Sequence, residues 1–112
     1  MAITSNLVTT AGSAIYTAPG TIGSDDREYA VTCMMFCNYD PSNDVTLDLY
    51  LLAPLPAAIS NTNKIIHELV IPAGETFTFD TEKLVLATGE RVWAEASSNT
   101  RLSVSVTSMR VS

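Results

Sequence analysis

The stretch Ile71-Pro72-Ala73-Gly74-Glu75-Thr76-Phe77-Thr78-Phe79-Asp80 decides the fold, because it predicts a turn, a strand and the orientation of that strand's side chains. Pro72 fixes its own φ and ends the preceding apolar run, and Gly74 has the conformational freedom that a tight reversal needs. After the turn, Phe77 and Phe79 alternate with polar residues, which is the period of a strand with one apolar face. The sequence therefore predicts a turn followed by a half-buried strand.

Outward from this stretch, short runs of β-forming residues alternate with clusters of turn-forming residues along the whole chain. The runs lie at residues 14–18, 27–39, 45–53, 64–71, 84–86, 91–96 and 101–112. The chain shows no helical periodicity and no tandem repeat. About eight short strands with turns at roughly every 8 to 12 residues predict an all-β fold, a single antiparallel two-sheet β-sandwich of the jelly-roll or immunoglobulin-like kind.

The chain of 112 residues fits one domain, which we place at residues 13–112. Residues 1–12 are mostly small and polar, and Ile3, Leu7 and Val8 are their only large apolar side chains after Met1. Such a segment buries little of its own surface, so we predict an N-terminal arm that is ordered by contact with a neighbour.

Residues 27–39 form the longest β signal and carry apolar side chains at both parities. This predicts a central strand, covered on one side by the core and on the other by a loop or a second subunit. The turn formers at residues 40–44 predict a hairpin to the next strand. In the last strand the apolar residues change phase, which predicts a β-bulge near Thr107 and Ser108.

Composition limits the classes of partner. The net charge is −6 and the six Lys and Arg are scattered singly, so no basic stripe suits nucleic acid. Only 16% of the residues are charged while 46% are hydrophobic, and a surface this poor in charge suits packing against other proteins. No signal peptide and no run long enough to cross a membrane is evident, so we expect no membrane partner and a product that stays in the cytosol where it is made.

Residues that could carry chemistry are sparse, and their spacing predicts no enzyme, no cofactor and no metal site. His67 is the sole histidine, so a zinc site would have to combine it with two cysteines from another strand. Cys33 and Cys37 lie about 13 Å apart if they share a strand, too far for a disulfide, and we expect them to be reduced and buried. No Gly-x-Ser-x-Gly elbow and no phosphate-binding loop occurs. The carboxylates that lie closest in sequence match no calcium-loop spacing and are expected to be turn formers and solvated charges, with a weak cation site between loops as the alternative: Asp25, Asp26, Asp40, Asp44 and Asp48.

Several short motifs together resemble a loose family of small tailed-phage virion proteins that are tail- or capsid-associated. They are Asn63-Lys64-Ile65-Ile66, Ile71-Pro72-Ala73-Gly74-Glu75-Thr76, Leu86, Gly89-Glu90, Val92 and Ala94. In that family a similar Tyr-Thr-hydrophobic-Pro opens the sandwich, as Tyr16-Thr17-Ala18-Pro19 does here. The resemblance implies a non-enzymatic virion structural protein, first of all a capsid decoration or cement protein that stabilises the shell by oligomeric packing.

The partners implied by the resemblance are further copies of the chain, as a homotrimer, and a major capsid or tail protein. The location is the virion, assembled in the bacterial host cytoplasm. Two alternatives stay open. One is a tail, neck or baseplate component, and the other is a carbohydrate-binding receptor-recognition module in which Trp93 and Tyr50 hold a sugar.

Residues 54–59 add a segment that neither pairs nor suits open solvent. Its two prolines exclude a ladder, and its large apolar side chains call for a packing partner. Together with the arm, this segment supplies the predicted interface residues, which are Ile3, Leu7, Val8, Leu55 and Ile59.

Overall fold

The computed structural model describes residues 2–54, 58–80 and 84–111, which form two antiparallel sheets packed around one core. The strands are β1 (Ala2–Val8), β2 (Ser13–Thr17), β3 (Glu28–Asn38), β4 (Val45–Leu52), β5 (Lys64–Ile71), β6 (Thr76–Phe79), β7 (Leu84–Ala87), β8 (Arg91–Ala96) and β9 (Leu102–Arg110). One 3-10 turn, Asn61–Asn63, precedes β5. Within the described residues no helix has the length and apolarity to cross a bilayer. The predicted all-β sandwich is confirmed.

The five-stranded sheet has the order β1-β9-β3-β6, and β7 also pairs with β3. Strands β6 and β7 lie along successive parts of the same edge of β3, at residues 34–37 and 28–31. The four-stranded sheet has the order β2-β8-β4-β5. Most consecutive strands therefore lie in different sheets, and the chain passes repeatedly across the end of the sandwich.

The core lies between the sheets and is filled by the inward side chains of both. Phe77 and Phe79 of β6 pair with Phe36 and Met34 of β3, and the rings of Phe36 and Phe77 stack with centroids 6.4 Å apart. The predicted face of β6 is confirmed, because Thr76 and Thr78 point to solvent on the other side. The turn before β6 contains Gly74 at φ +78°, where an L side chain would be strained.

The connection from β3 to β4 is not the predicted hairpin, because β3 and β4 belong to different sheets. Asn38, which is fully buried, organises this crossover. Its Nδ2 donates to the carbonyls of Asn43 and Ile71 at 3.0 and 2.9 Å, and its Oδ1 accepts from Asp40 N at 2.9 Å. Its backbone carbonyl also accepts from Gly74 N at 2.9 Å, so the crossover and the turn before β6 are joined.

The predicted bulge occurs opposite Thr107 and Ser108, but its extra residue is on β3. The register passes from Val31 with Ser108 to Cys33 with Thr107, which leaves Thr32 unmatched. Strand β9 keeps one phase throughout, with inward residues Leu102, Val104, Val106 and Ser108 all buried. The later apolar residue Met109 therefore lies on the outside of the sheet.

The N-terminal segment differs from the predicted arm. Residues 2–8 form β1, which pairs with β9 in an unbroken register from Ala2 with Ser108 to Val8 with Leu102. Val8 is fully buried in the core. Backbone hydrogen bonding to β9 makes this segment an edge strand of the sandwich, although it has few apolar side chains.

Candidate interaction surface

The feature that stands out is the outward side of the five-stranded sheet, which carries no charged side chain in its central rows. Residues directly opposite each other in antiparallel strands point to the same face, so the registers and the burial alternation identify the members. We call this set the outer face, and its members are Ile3, Ser5, Leu7, Cys33, Met35, Cys37, Thr76, Thr78, Ser103, Ser105 and Thr107.

The outer face exposes apolar side chains at its centre and along one edge. Met35 on the central strand β3 is 44% exposed, and Ile3 and Leu7 on β1 are 74% and 46% exposed. Hydroxyl side chains of β9 lie between Met35 and the β1 residues, and those of β6 lie on the other side of Met35. Within the described residues no loop covers Met35. The second cover that the sequence predicts for β3 is therefore not provided by these parts of the chain.

The two cysteines belong to the outer face and are free. Both are half-buried, which differs from the predicted burial. The bulge at Thr32 explains the difference, because it turns Met34 and Phe36 to the core and leaves Cys33 and Cys37 on the outward parity.

The outward side of the four-stranded sheet carries charged side chains that pair within the chain. Tyr50 is only 5% exposed, although it points away from the core, because Lys64 lies over its ring with Nζ 5.3 Å from the centroid. The Tyr50 hydroxyl donates to Glu95 Oε1 at 3.3 Å, and Lys64 Nζ lies 3.9 Å from Asp48 Oδ2. These partners satisfy one another within the chain.

Trp93 lies beside Tyr50 in this sheet and is half-buried. Gly12 lies close against its indole, since a Cβ placed on Gly12 would clash with Trp93 Nε1. Neither ring of the predicted sugar-binding pair is an open platform on which a sugar would stack.

His67 is exposed on β5, and its Nδ1 lies 2.8 Å from Lys64 Nζ. Among the described residues no group of three or more His, Cys, Asp or Glu is placed to hold a metal ion.

Asp40 forms a turn, as predicted. The backbone N–H groups of Ser42 and Asn43 donate to its Oδ1, both at 3.0 Å, and hold the pKa of this carboxyl below its ordinary value.

A cleft of about 310 Å³ lies between β1 and β2, where the two sheets separate at one edge of the sandwich. Thr4 and Asn6 of β1 face Tyr16 and Thr17 of β2 across it, and no charged side chain lines it. The Tyr16 hydroxyl is buried and has no hydrogen-bond partner within the described residues. The cleft offers small polar groups and aromatic surface, without a cluster of groups suited to acid–base chemistry.

The predicted interface residues fall into four groups. Ile3 and Leu7 lie on the outer face, and Ile59 is exposed in the loop that follows β4. Val8 is a core residue and does not reach the surface. Leu55 lies outside the described residues.

The sequence reasoning missed Met35 and the hydroxyl residues of β9 as surface candidates. The signal was present in the alternation Ser103, Ser105, Thr107, because the solvent-facing parity of a strand normally includes charged residues in a chain of net charge −6. An outward parity made only of Ser and Thr is the pattern that would have identified this face.

Comparisons with protein-family models, with curated proteins and with solved structures found no match.

Proposed function

We propose that this protein is a non-enzymatic structural subunit of a tailed-phage virion, which acts by packing the outer face against a larger protein. The observation that carries the proposal is the contrast in charge. The chain has net charge −6, yet none of the outward residues in the central rows of β1, β9, β3 and β6 is charged. Charged residues are depleted at the centres of protein interfaces, and Met is enriched there.

The size of the outer face supports a role in a many-copy assembly. Four strands at roughly 4.8 Å spacing and three outward rows give a patch of roughly 300 to 400 Å². A stable pairwise interface buries about 800 Å² on each partner, so a contact through this face alone would be weak. Many copies on a repeating lattice gain strength from multivalency, which suits a subunit that binds a shell.

The virion assignment itself is supported by the resemblance of the Ile71–Thr76 turn region and its companion motifs to small phage virion proteins. Within that class we favour a head decoration or cement protein, and a tail, neck or baseplate component is the alternative. The number of copies per particle distinguishes them. Hundreds of copies indicate a shell protein, whereas a small multiple of three or six indicates a tail part.

The test measures incorporation into purified particles by quantitative mass spectrometry. Met35→Asp places a charge at the centre of the outer face and should reduce incorporation at least tenfold while circular dichroism remains that of the wild type. Val70→Asp is the matched control, because Val70 is similarly exposed, at 53%, but lies on β5 of the other sheet. Its incorporation should remain unchanged.

Two results would overturn the proposal. One is the absence of the wild-type protein from the particles. The other is equal incorporation of the Met35→Asp and wild-type proteins, which would remove the outer face from any role in assembly.

A further inference from the structure

The free edge of β1 is the least protected sheet edge in the described part of the chain. Natural proteins protect edge strands with charges, prolines, bulges or short length, because an open edge pairs readily with another strand. Strand β1 has seven residues, Ala-Ile-Thr-Ser-Asn-Leu-Val, with no charge, no proline and no break in its register with β9. No side chain before Asp25 is charged.

The other edges in the described residues carry the usual protection. Edge strand β5 has two register shifts against β4, and it presents Lys64, His67 and Glu68, with Glu68 at φ +50°. Strand β2 has five residues and a register shift, and β6 and β7 have four residues each. The unprotected edge is therefore specific to β1.

The residue pattern of β1 is symmetric about Ser5. If two β1 strands lie antiparallel with Ser5 opposite Ser5, Ile3 faces Leu7 and Thr4 faces Asn6. The first pair joins two exposed apolar side chains on the outer face, and the second joins two polar side chains on the inner side. Directly opposed side chains of like character stabilise antiparallel strands.

We propose that two copies of this chain associate through their β1 strands, antiparallel about a two-fold axis at Ser5, to form one continuous sheet across the dimer. The lack of charge on β1 allows two molecules of net charge −6 to approach at this edge. The pairing satisfies the outward N–H and C=O groups of alternate residues of β1. It extends the outer face across both copies and does not rest on the proposed virion role.

Disulfide trapping tests the geometry, in a chain whose native cysteines are replaced by Cys33→Ser and Cys37→Ser. Ser5→Cys should form a covalent dimer under mild oxidation. Ser105→Cys is the matched control, because Ser105 of β9 lies directly opposite Ser5 and also belongs to the outer face. In the proposed dimer its two copies are three strand spacings apart, about 14 Å, beyond the roughly 7 Å between Cα atoms that a disulfide spans.

The register is tested by mixing two single variants. Ile3→Cys with Leu7→Cys should cross-link to each other, whereas Ile3→Cys alone should not, because its two copies lie four residues apart along the pair. Cross-linking of Ser105→Cys without Ser5→Cys would mean that outer faces stack on each other, and the proposal would be wrong.

Sedimentation equilibrium tests association with the native cysteines in place. The wild type should dimerise, and Ser5→Lys, which sets two like charges opposite each other, should weaken dimerisation about tenfold. Ser105→Lys should leave the dimer constant within about twofold. A wild type that stays monomeric at tens of micromolar, or an unchanged constant for Ser5→Lys, would overturn the proposal. Binding of an extended segment of another protein to β1 of a monomer would overturn it as well.

Discussion

The outward sides of the two sheets differ in how their side chains are satisfied. On the four-stranded sheet, Lys64 covers Tyr50, Glu95 accepts from the Tyr50 hydroxyl, and Asp48 lies near Lys64. On the five-stranded sheet, the outer face has no charge and leaves Met35 exposed at its centre. The charged side chains of the four-stranded sheet pair with one another, whereas the outer face exposes small hydroxyls and apolar groups. Exposure of single side chains does not separate the two sides, since Val70 on β5 is 53% exposed and Met35 on β3 is 44% exposed, whereas the presence of charged internal pairs does.

The largest effect on stability is expected from removing the hydrogen bonds that organise the crossover from β3 to β4, which connects the two sheets. Asn38→Ala leaves Asp40 N and the carbonyls of Ile71 and Asn43 without their side-chain partner. We expect a loss of about 4 kcal/mol in the free energy of unfolding, because buried unsatisfied groups cost about 1 to 3 kcal/mol each. Urea denaturation followed by circular dichroism measures it.

Asn99→Ala is the control for that change, since Asn99 is exposed and its Oδ1 accepts only a long bond of 3.4 Å from Thr10 N. It should cost less than about 0.5 kcal/mol. Equal costs for the two variants would show that Asn38 does not organise the crossover.

A second prediction measures how much each outward side contributes to the stability of the free chain. Tyr50→Ala removes a buried ring and its hydrogen bond, and should cost about 2 kcal/mol. Met35→Ala on the outer face should cost less than about 1 kcal/mol, because much of its side chain is already in water. Thermal unfolding of both variants, as isolated protein, gives the two values. If Met35→Ala is the more destabilising, the outer face is part of the fold's own packing and the contrast between the sheets fails.

The smallest expected effect concerns Asp40, which lies in the crossover and belongs to neither face. Hydrogen bonds from Ser42 N and Asn43 N lower the pKa of Asp40 in the folded chain. The stabilisation that the ionised Asp40 carboxyl gives the folded chain is therefore fully present above the unfolded pKa of about 4. It is lost as the pH falls through the lower pKa of the folded chain. Asp40→Asn, whose amide oxygen keeps the acceptor, should show a smaller loss of stability between pH 5 and pH 3 than the wild type.

Urea denaturation at several pH values measures this dependence. Asp40→Ala lacks the acceptor and should be less stable than Asp40→Asn at neutral pH. An Asp40→Asn variant with the same acid dependence as the wild type would mean that these hydrogen bonds do not favour the ionised carboxyl.

The sequence predicted local patterns well and long-range pairing poorly. The alternation of Phe77 and Phe79 with threonine identified both the strand and its inward side. Both follow from local features, namely the two-residue period of the strand and the turn that precedes it. The turn formers at residues 40–44 correctly predicted a reversal of the chain, but not which sheet the following strand joins. Local turn chemistry does not specify whether the next strand joins the same sheet or the opposite one.

Two features of the candidate surface were hidden for related reasons. Strand β1 is held mainly by backbone pairing with β9. Residues 2–8 therefore do not need the regular alternation of apolar residues from which a strand is predicted. In β3 the residues at both parities are apolar, so the sequence did not indicate a bulge at Thr32. Without the bulge, the outward orientation of Cys33, Met35 and Cys37 could not be predicted. Such registers depend on the facing strand.

The central claim is that assembly uses the outer face and leaves the outward side of the four-stranded sheet in solvent. Oxidative footprinting with mass spectrometry tests it directly, by comparing side-chain reactivity in the free protein and in purified particles. Met35, on the outer face, and His67, on β5, are both exposed and oxidisable, so each serves as the other's reference. We expect Met35 to be protected several-fold in particles while His67 reacts as in the free protein. Protection of His67 or Trp93 with unchanged reactivity of Met35 would contradict it.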